Sequence, residues 1–96
     1  MLGIEEIRDT LSVRKEALHR QGVRQLWVFG SVSRAEAKPQ DIDFLVSFVS
    51  PPTLTQFMGL KFYLESVFQL PIDLHSAGSC PDRFYSRIKD ELQHVA

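Results

Sequence analysis

The sequence predicts an α/β domain: a small mixed β-sheet of about three or more strands, covered by helices. Three observations carry this reading. Runs rich in β-branched and aromatic residues alternate with stretches of helical periodicity, in the order α-β-α-β-α-β-α. The second run, Ile42 to Val49, is almost continuously apolar, as a central strand buried on both faces would be. The link between the first two runs is short enough for antiparallel pairing, so the sheet is expected to be mixed. With 96 residues, the chain fits a single domain, residues 1–96, with one core.

The elements follow in order. Residues 4–20 read as one helix, with Ile4, Ile7, Leu11, Ala17 and Leu18 on its apolar stripe and Gly22 at its C-terminal cap. Val23 to Phe29 reads as a strand that stops at Gly30. Val32 to Ala37 suits a short helix capped by Ser31, and Lys38-Pro39-Gln40 a loop. After the strand Ile42 to Val49, Ser50-Pro51-Pro52 breaks the chain. Thr53 to Gln69 then reads as a second long helix, its stripe formed by Leu54, Phe57, Met58, Lys61, Leu64, Val67 and Phe68. Leu70 to His75 reads as a third strand, with Pro71 at its start. Pro81 to Val95 reads as a closing helix with Phe84, Ile88, Leu92 and Val95 as its stripe.

Composition excludes several classes. Net charge is −1 with no Lys/Arg block, which argues against the many phosphate contacts of direct nucleic-acid binding. A nucleotide, needing one or two cations and a metal, is not excluded. Cys80 is the single cysteine, so no intrachain disulfide or cysteine-rich zinc site is expected. The N-terminus MLGIEEIRDT is acidic where a signal peptide is basic, and no apolar run approaches the roughly 20 residues of a membrane span. A cytoplasmic protein without membrane attachment is expected.

The chemistry gathers between Leu26 and Phe48. Side chains two apart on a strand share a face, so Asp41 and Asp43 project together. Two carboxylates a few ångströms apart repel by about 4 kcal/mol at an effective dielectric near 20. A divalent cation turns that repulsion into ligation, and an all-oxygen set favours Mg²⁺ or Mn²⁺. Asp73, on the third strand, supplies another carboxylate if that strand neighbours the second. Three carboxylates suffice for two metals about 3.5–4 Å apart, the arrangement for in-line phosphoryl or nucleotidyl transfer. Gly30 permits close backbone approach, Ser31 opens a helix N-terminus that favours anions, and Arg34 is one turn further on, where it could meet a phosphate or a carboxylate. Each part alone has a bland reading: a turn, a solvated strand cap, a surface arginine. Their order is what carries the site. His75 reads as a polar strand end, Lys38 as solvated, and Trp27, Phe29, Phe44 and Phe48 as core. Phe62 and Tyr63, off the main stripe of their helix, are candidates for an exposed apolar patch.

Gly30-Ser31, Asp41-x-Asp43 and Asp73 resemble the signature of the polymerase-beta-like nucleotidyltransferase superfamily. The surrounding VFGSVSRAEAKPQDIDFLV resembles its minimal branch, the MNT domain proteins, and Arg87-Ile88 with Glu91 resemble that branch's closing helix. The resemblance implies the polymerase-beta-like nucleotidyltransferase fold. It also implies Asp41 and Asp43 as ligands shared by two Mg²⁺ ions, Asp73 as the third ligand, and Gly30, Ser31 and Arg34 as triphosphate-binding residues. It implies ATP as donor, AMP transfer to a protein hydroxyl, and a HEPN-domain toxin as the partner restrained by this antitoxin. Two positions differ from the branch: Ala35 stands where Gly is common, and Gln40 where Ser often precedes the Asp-x-Asp. Two other functions stay open at this point, a non-catalytic antitoxin acting by complex formation and a nucleotidyltransferase for a small molecule.

Overall fold

A computed structural model describes residues 3–30 and 41–96. Helices α1 (Ile4–Ser12) and α2 (Lys15–Arg20) lead into strand β1 (Val23–Phe29). Strand β2 (Ile42–Phe48), helix α3 (Leu54–Phe68) and strand β3 (Ile72–Ser76) form a βαβ unit. Helix α4 (Asp82–Ile88), a 3₁₀ turn (Lys89–Glu91) and a short strand β4 (Gln93–His94) close the described chain. The sheet order is β3-β2-β1-β4. β1 runs antiparallel to β2 and β4, whereas β2 and β3 are parallel. The expected mixed sheet is therefore present, with β2 in the interior.

The sheet is covered unequally. Leu26, Val28, Ile42, Phe44, Val46, Ile72 and Leu74 join Ile7, Leu11, Leu18, Leu60 and Leu64 from α1, α2 and α3 in the main core. The opposite face carries a smaller cluster, Phe29, Leu45 and Ile88, with Trp27, Phe84 and Leu92 packed against it. Phe44 and Leu45 point to opposite faces, yet both are buried. The nearly continuous apolar run of β2 has this cause.

Three expectations need correction. The helix expected over residues 4–20 is two helices. Ser12 Oγ donates to the Asp9 carbonyl at 2.7 Å and the Arg14 guanidinium to the Thr10 carbonyl at 2.8 Å. Such side-chain bonds to the preceding turn compete with helix continuation, and Val13 at the break is exposed. The buried line of α3 runs through Leu60 and Leu64, with Phe57, Tyr63 and Phe68 beside them. Leu54 instead overhangs the sheet end and lines a cleft of about 590 Å³. Tyr63 thus packs on the core, while Phe62 is exposed.

The closing helix expected to reach Val95 ends at Ile88, and the chain returns as β4. The reason lies in β1. Its second edge offers unpaired backbone groups, and Leu26 N–H donates to the Ala96 carbonyl at 2.8 Å while its carbonyl accepts from Val95 N–H at 2.9 Å. The apparent helical stripe joined residues of different clusters: Ile88 and Leu92 serve the small one, Val95 the main core. Among the described residues no helix is long and apolar enough to cross a membrane.

α3, which carries the chain from β2 to β3, starts with a side-chain cap: the Thr53 hydroxyl accepts from Gln56 N–H at 3.0 Å. Thr53→Ala is expected to cost about 1 kcal/mol, or a fall in Tm of roughly 4–8 °C for a domain this size. Thermal melts should show Thr53→Ser close to the wild type. Equal losses for the two variants would mean that the hydroxyl is not the cap.

Candidate active site

Strand pairing sets the centre of the site. Asp43 and Asp73 are register partners on the parallel strands β2 and β3, and Phe29 at the end of β1 is the partner of Asp43 on the other side. Because side chains alternate, Ile42, Phe44, Ile72 and Leu74 enter the main core. Asp43, Asp73 and His75 are left on the opposite face. Asp43 is half-buried, and Asp41, just before β2, and Asp73 are exposed. The carboxyls of Asp43 and Asp73 are within hydrogen-bonding reach of each other.

This crowding has an electrostatic signature. Asp43 is pushed up from its ordinary 3.8 to about 6, first by burial, then by the negative charges of Asp41 and Asp73 and the hydrogen bond to Asp73, with His75 opposing the rise. His75 Nε2 lies 3.2 Å from Asp73 Oδ2. The imidazole is held by rings: Phe84 at 4.7 Å and Phe29 at 5.7 Å between centroids. It is a strand-end partner of Asp73 on the shared face.

Gly30 closes the third side. Its φ is +78°, and a Cβ there would lie 2.3 Å from Asp43 Oδ2. The space that glycine leaves is thus filled by the Asp43 carboxylate, and no other residue type fits both the angle and the gap. Its N–H donates to Glu91 Oε1 at 3.2 Å. The sequence reading gave Glu91 no role in the site. Its only signal in the sequence is the resemblance of Arg87-Ile88 and Glu91 to the branch's closing helix, because its partner lies 61 positions away.

Of the residues nominated from sequence, the structure brings Gly30, Asp43 and Asp73 together, with Asp41 at the rim. Ser31, Arg34, Lys38 and the short helix expected over Val32 to Ala37 lie outside the described residues. The donor set is all carboxylate oxygen, half-exposed and mutually repelling, which suits a hard divalent cation. Among the described residues no three acidic, histidine or cysteine side chains converge to enclose a metal by themselves. An Mg²⁺ site built from one or two carboxylates and completed by substrate phosphates has this open form.

Comparison with known proteins gives three findings. The sequence profile of the nucleotidyltransferase domain matches residues 11–95. A protein adenylyltransferase, MntA, of Thermococcus cleftensis is 39% identical over 97 residues, covering 99% of this chain and 98% of the relative. Among solved structures, one described as a minimal nucleotidyltransferase superposes with a TM-score of 0.78 at 29% identity, covering 96% of this chain and 95% of that one. A second, the tri-AMPylated HEPN toxin of Shewanella oneidensis in complex with MNT antitoxin, gives a TM-score of 0.70 at 16% identity. It covers 94% of this chain and 71% of that one, and shows the shared fold.

Two outcomes follow from the geometry. Asp43 has a folded-state pKa above its ordinary value, so its contribution to stability is complete below pH about 3.8 and is lost as pH rises through about 6. Cation-free Asp43→Asn should therefore melt higher than the wild type at neutral pH, and its Tm should vary less across that interval. Parallel curves for the two proteins would refute the crowding. Gly30→Ala should lose at least about 1 kcal/mol, the cost of a left-handed non-glycine residue, with displacement of the Asp43 carboxylate added to it. Denaturant titration at pH 7 measures the loss, and a wild-type midpoint would count against the close approach.

Proposed function

This chain belongs to the nucleotidyltransferase domain family, and from that premise we propose that it transfers AMP from ATP to a hydroxyl of a partner protein, a HEPN-domain toxin that it thereby restrains. The observation that carries the reading is the in-register pair Asp43 and Asp73, with Asp41 on the same rim. A solvent-accessible cluster of like charges held beside a left-handed glycine has no packing purpose. It is what a nucleotide with its cation would neutralise.

In this reading Asp41, Asp43 and Asp73 are the residues that would hold a divalent cation, with Asp73 on the acceptor side. Mg²⁺, when bound, neutralises carboxylate and phosphate charge and lets them approach. Gly30 keeps Asp43 in place, and Ser31 and Arg34 take the triphosphate. The acceptor oxygen bonds to the α-phosphorus, the bond to the bridging oxygen breaks, and pyrophosphate leaves. The hydroxyl proton passes to the Asp73 carboxylate. Full-length similarity to a protein adenylyltransferase supports AMP as the transferred group and a protein as acceptor. The complex of the Shewanella MNT antitoxin with its AMPylated HEPN toxin supports a partner of that kind.

The test is transfer of label from ATP marked at the α-phosphate, in Mg²⁺, to the protein encoded beside this chain, which on this reading carries a HEPN domain. Wild type should label the partner. Asp43→Asn should reduce the rate more than about a hundredfold, the upper end of what a residue merely supporting a metal ligand costs. A tight complex with no label would replace the enzymatic reading with neutralisation by contact. Label on a small acceptor alone would replace the protein acceptor.

A further inference from the structure

We propose that Glu91 is a positioning residue of this nucleotidyl-transfer site, holding the Gly30 peptide so that Asp43 keeps the geometry nucleotide binding needs; this rests on the function proposed above. The 3₁₀ turn Lys89–Glu91 follows directly on Ile88, which is buried against Phe29 and Leu45. Phe29 also meets Phe84 edge-on, with ring centroids 5.8 Å apart. The residue before Gly30 is thus anchored by its side chain to the C-terminal segment, while Gly30 itself is anchored to the same segment through its N–H and Glu91 Oε1 at 3.2 Å.

Two consequences separate this from a simple strand-end cap. Gly30 is one residue past the last register pair of β1 with β2 among the described residues, so no ladder pair holds its own peptide. Yet its Cα stands where a Cβ would come within 2.3 Å of Asp43 Oδ2. A small rotation of this peptide therefore changes the space open to that carboxylate. The Gly30 N–H is also committed to Glu91, so at this position glycine supplies room for the carboxylate rather than a free donor. Within the fold, this couples the C-terminal segment to the nucleotide site.

The experiment compares Glu91→Ala and Glu91→Gln with wild type. The first readout, independent of catalysis, is amide exchange at Gly30 by NMR. Exchange should rise in Glu91→Ala and stay near wild type in Glu91→Gln, whose side-chain carbonyl still accepts. The second is α-labelled transfer as a function of ATP. Glu91→Ala should raise KM for ATP by about tenfold, the scale of one hydrogen bond to a charged group, with kcat changed much less. Glu91→Gln should restore most of the affinity. An unchanged KM in Glu91→Ala, or equal losses in both variants, overturns the proposal. Absence of transfer by wild type refutes the enzymatic reading; the exchange result still decides whether Glu91 holds Gly30, and Mg²⁺-dependent binding of a fluorescent ATP analogue then replaces KM.

Discussion

The rest of the structure depends on one unfavourable contact, the meeting of the Asp43 and Asp73 carboxyls across neighbouring parallel strands. Two like charges at that separation repel by several kcal/mol in a partly buried setting. Such a pair persists only where strand register leaves no alternative and where something else supplies the stability. Here β2 lies inside the sheet, bonded on both sides, so the Asp43 backbone cannot shift without unpairing from β1 or β3. Gly30 crowds it from one side, and Asp73 with its His75 partner from the other.

The stability comes from the opposite face. The main core takes side chains from α1, α2, α3 and the first three strands, and it contains most of the fully buried residues. The face with the carboxylates has only a small apolar cluster, gathered under α4. This division is physically sensible. Charged groups are costly to bury unless paired, so the acids sit at strand starts where water reaches them, while the apolar layer behind fixes their backbone. The half-burial of Asp43 marks the boundary between the two regimes, and its raised pKa follows from standing there.

The C-terminal segment ties the two faces together. Its first part, α4, lies over the small cluster, and its last residues add a strand to the β1 edge and send Val95 into the main core. Arg8 of α1 donates to the His94 carbonyl at 2.9 Å, so the segment is held from the N-terminal helix as well. An unpaired strand edge invites association with other chains, and the short β4 covers part of it. The same return path delivers Glu91 to the Gly30 amide.

The sequence by itself determined the fold class and the three long strands, and it nominated the acids and the glycine of the candidate site. These are local properties: alternation, a continuous apolar run, and the i, i+2 relation all act within a few residues. It also indicated that Asp73 belongs with Asp43, on the condition that their strands be neighbours. Only the tertiary structure decided that condition, through the in-register parallel pairing of β2 with β3. It alone also decided that the last helical stripe breaks into a turn and a strand, and that Glu91 meets Gly30. Both depend on what an exposed strand edge and an unpaired amide find at long range. Periodicity carries no record of a hydrogen-bond partner 61 residues away.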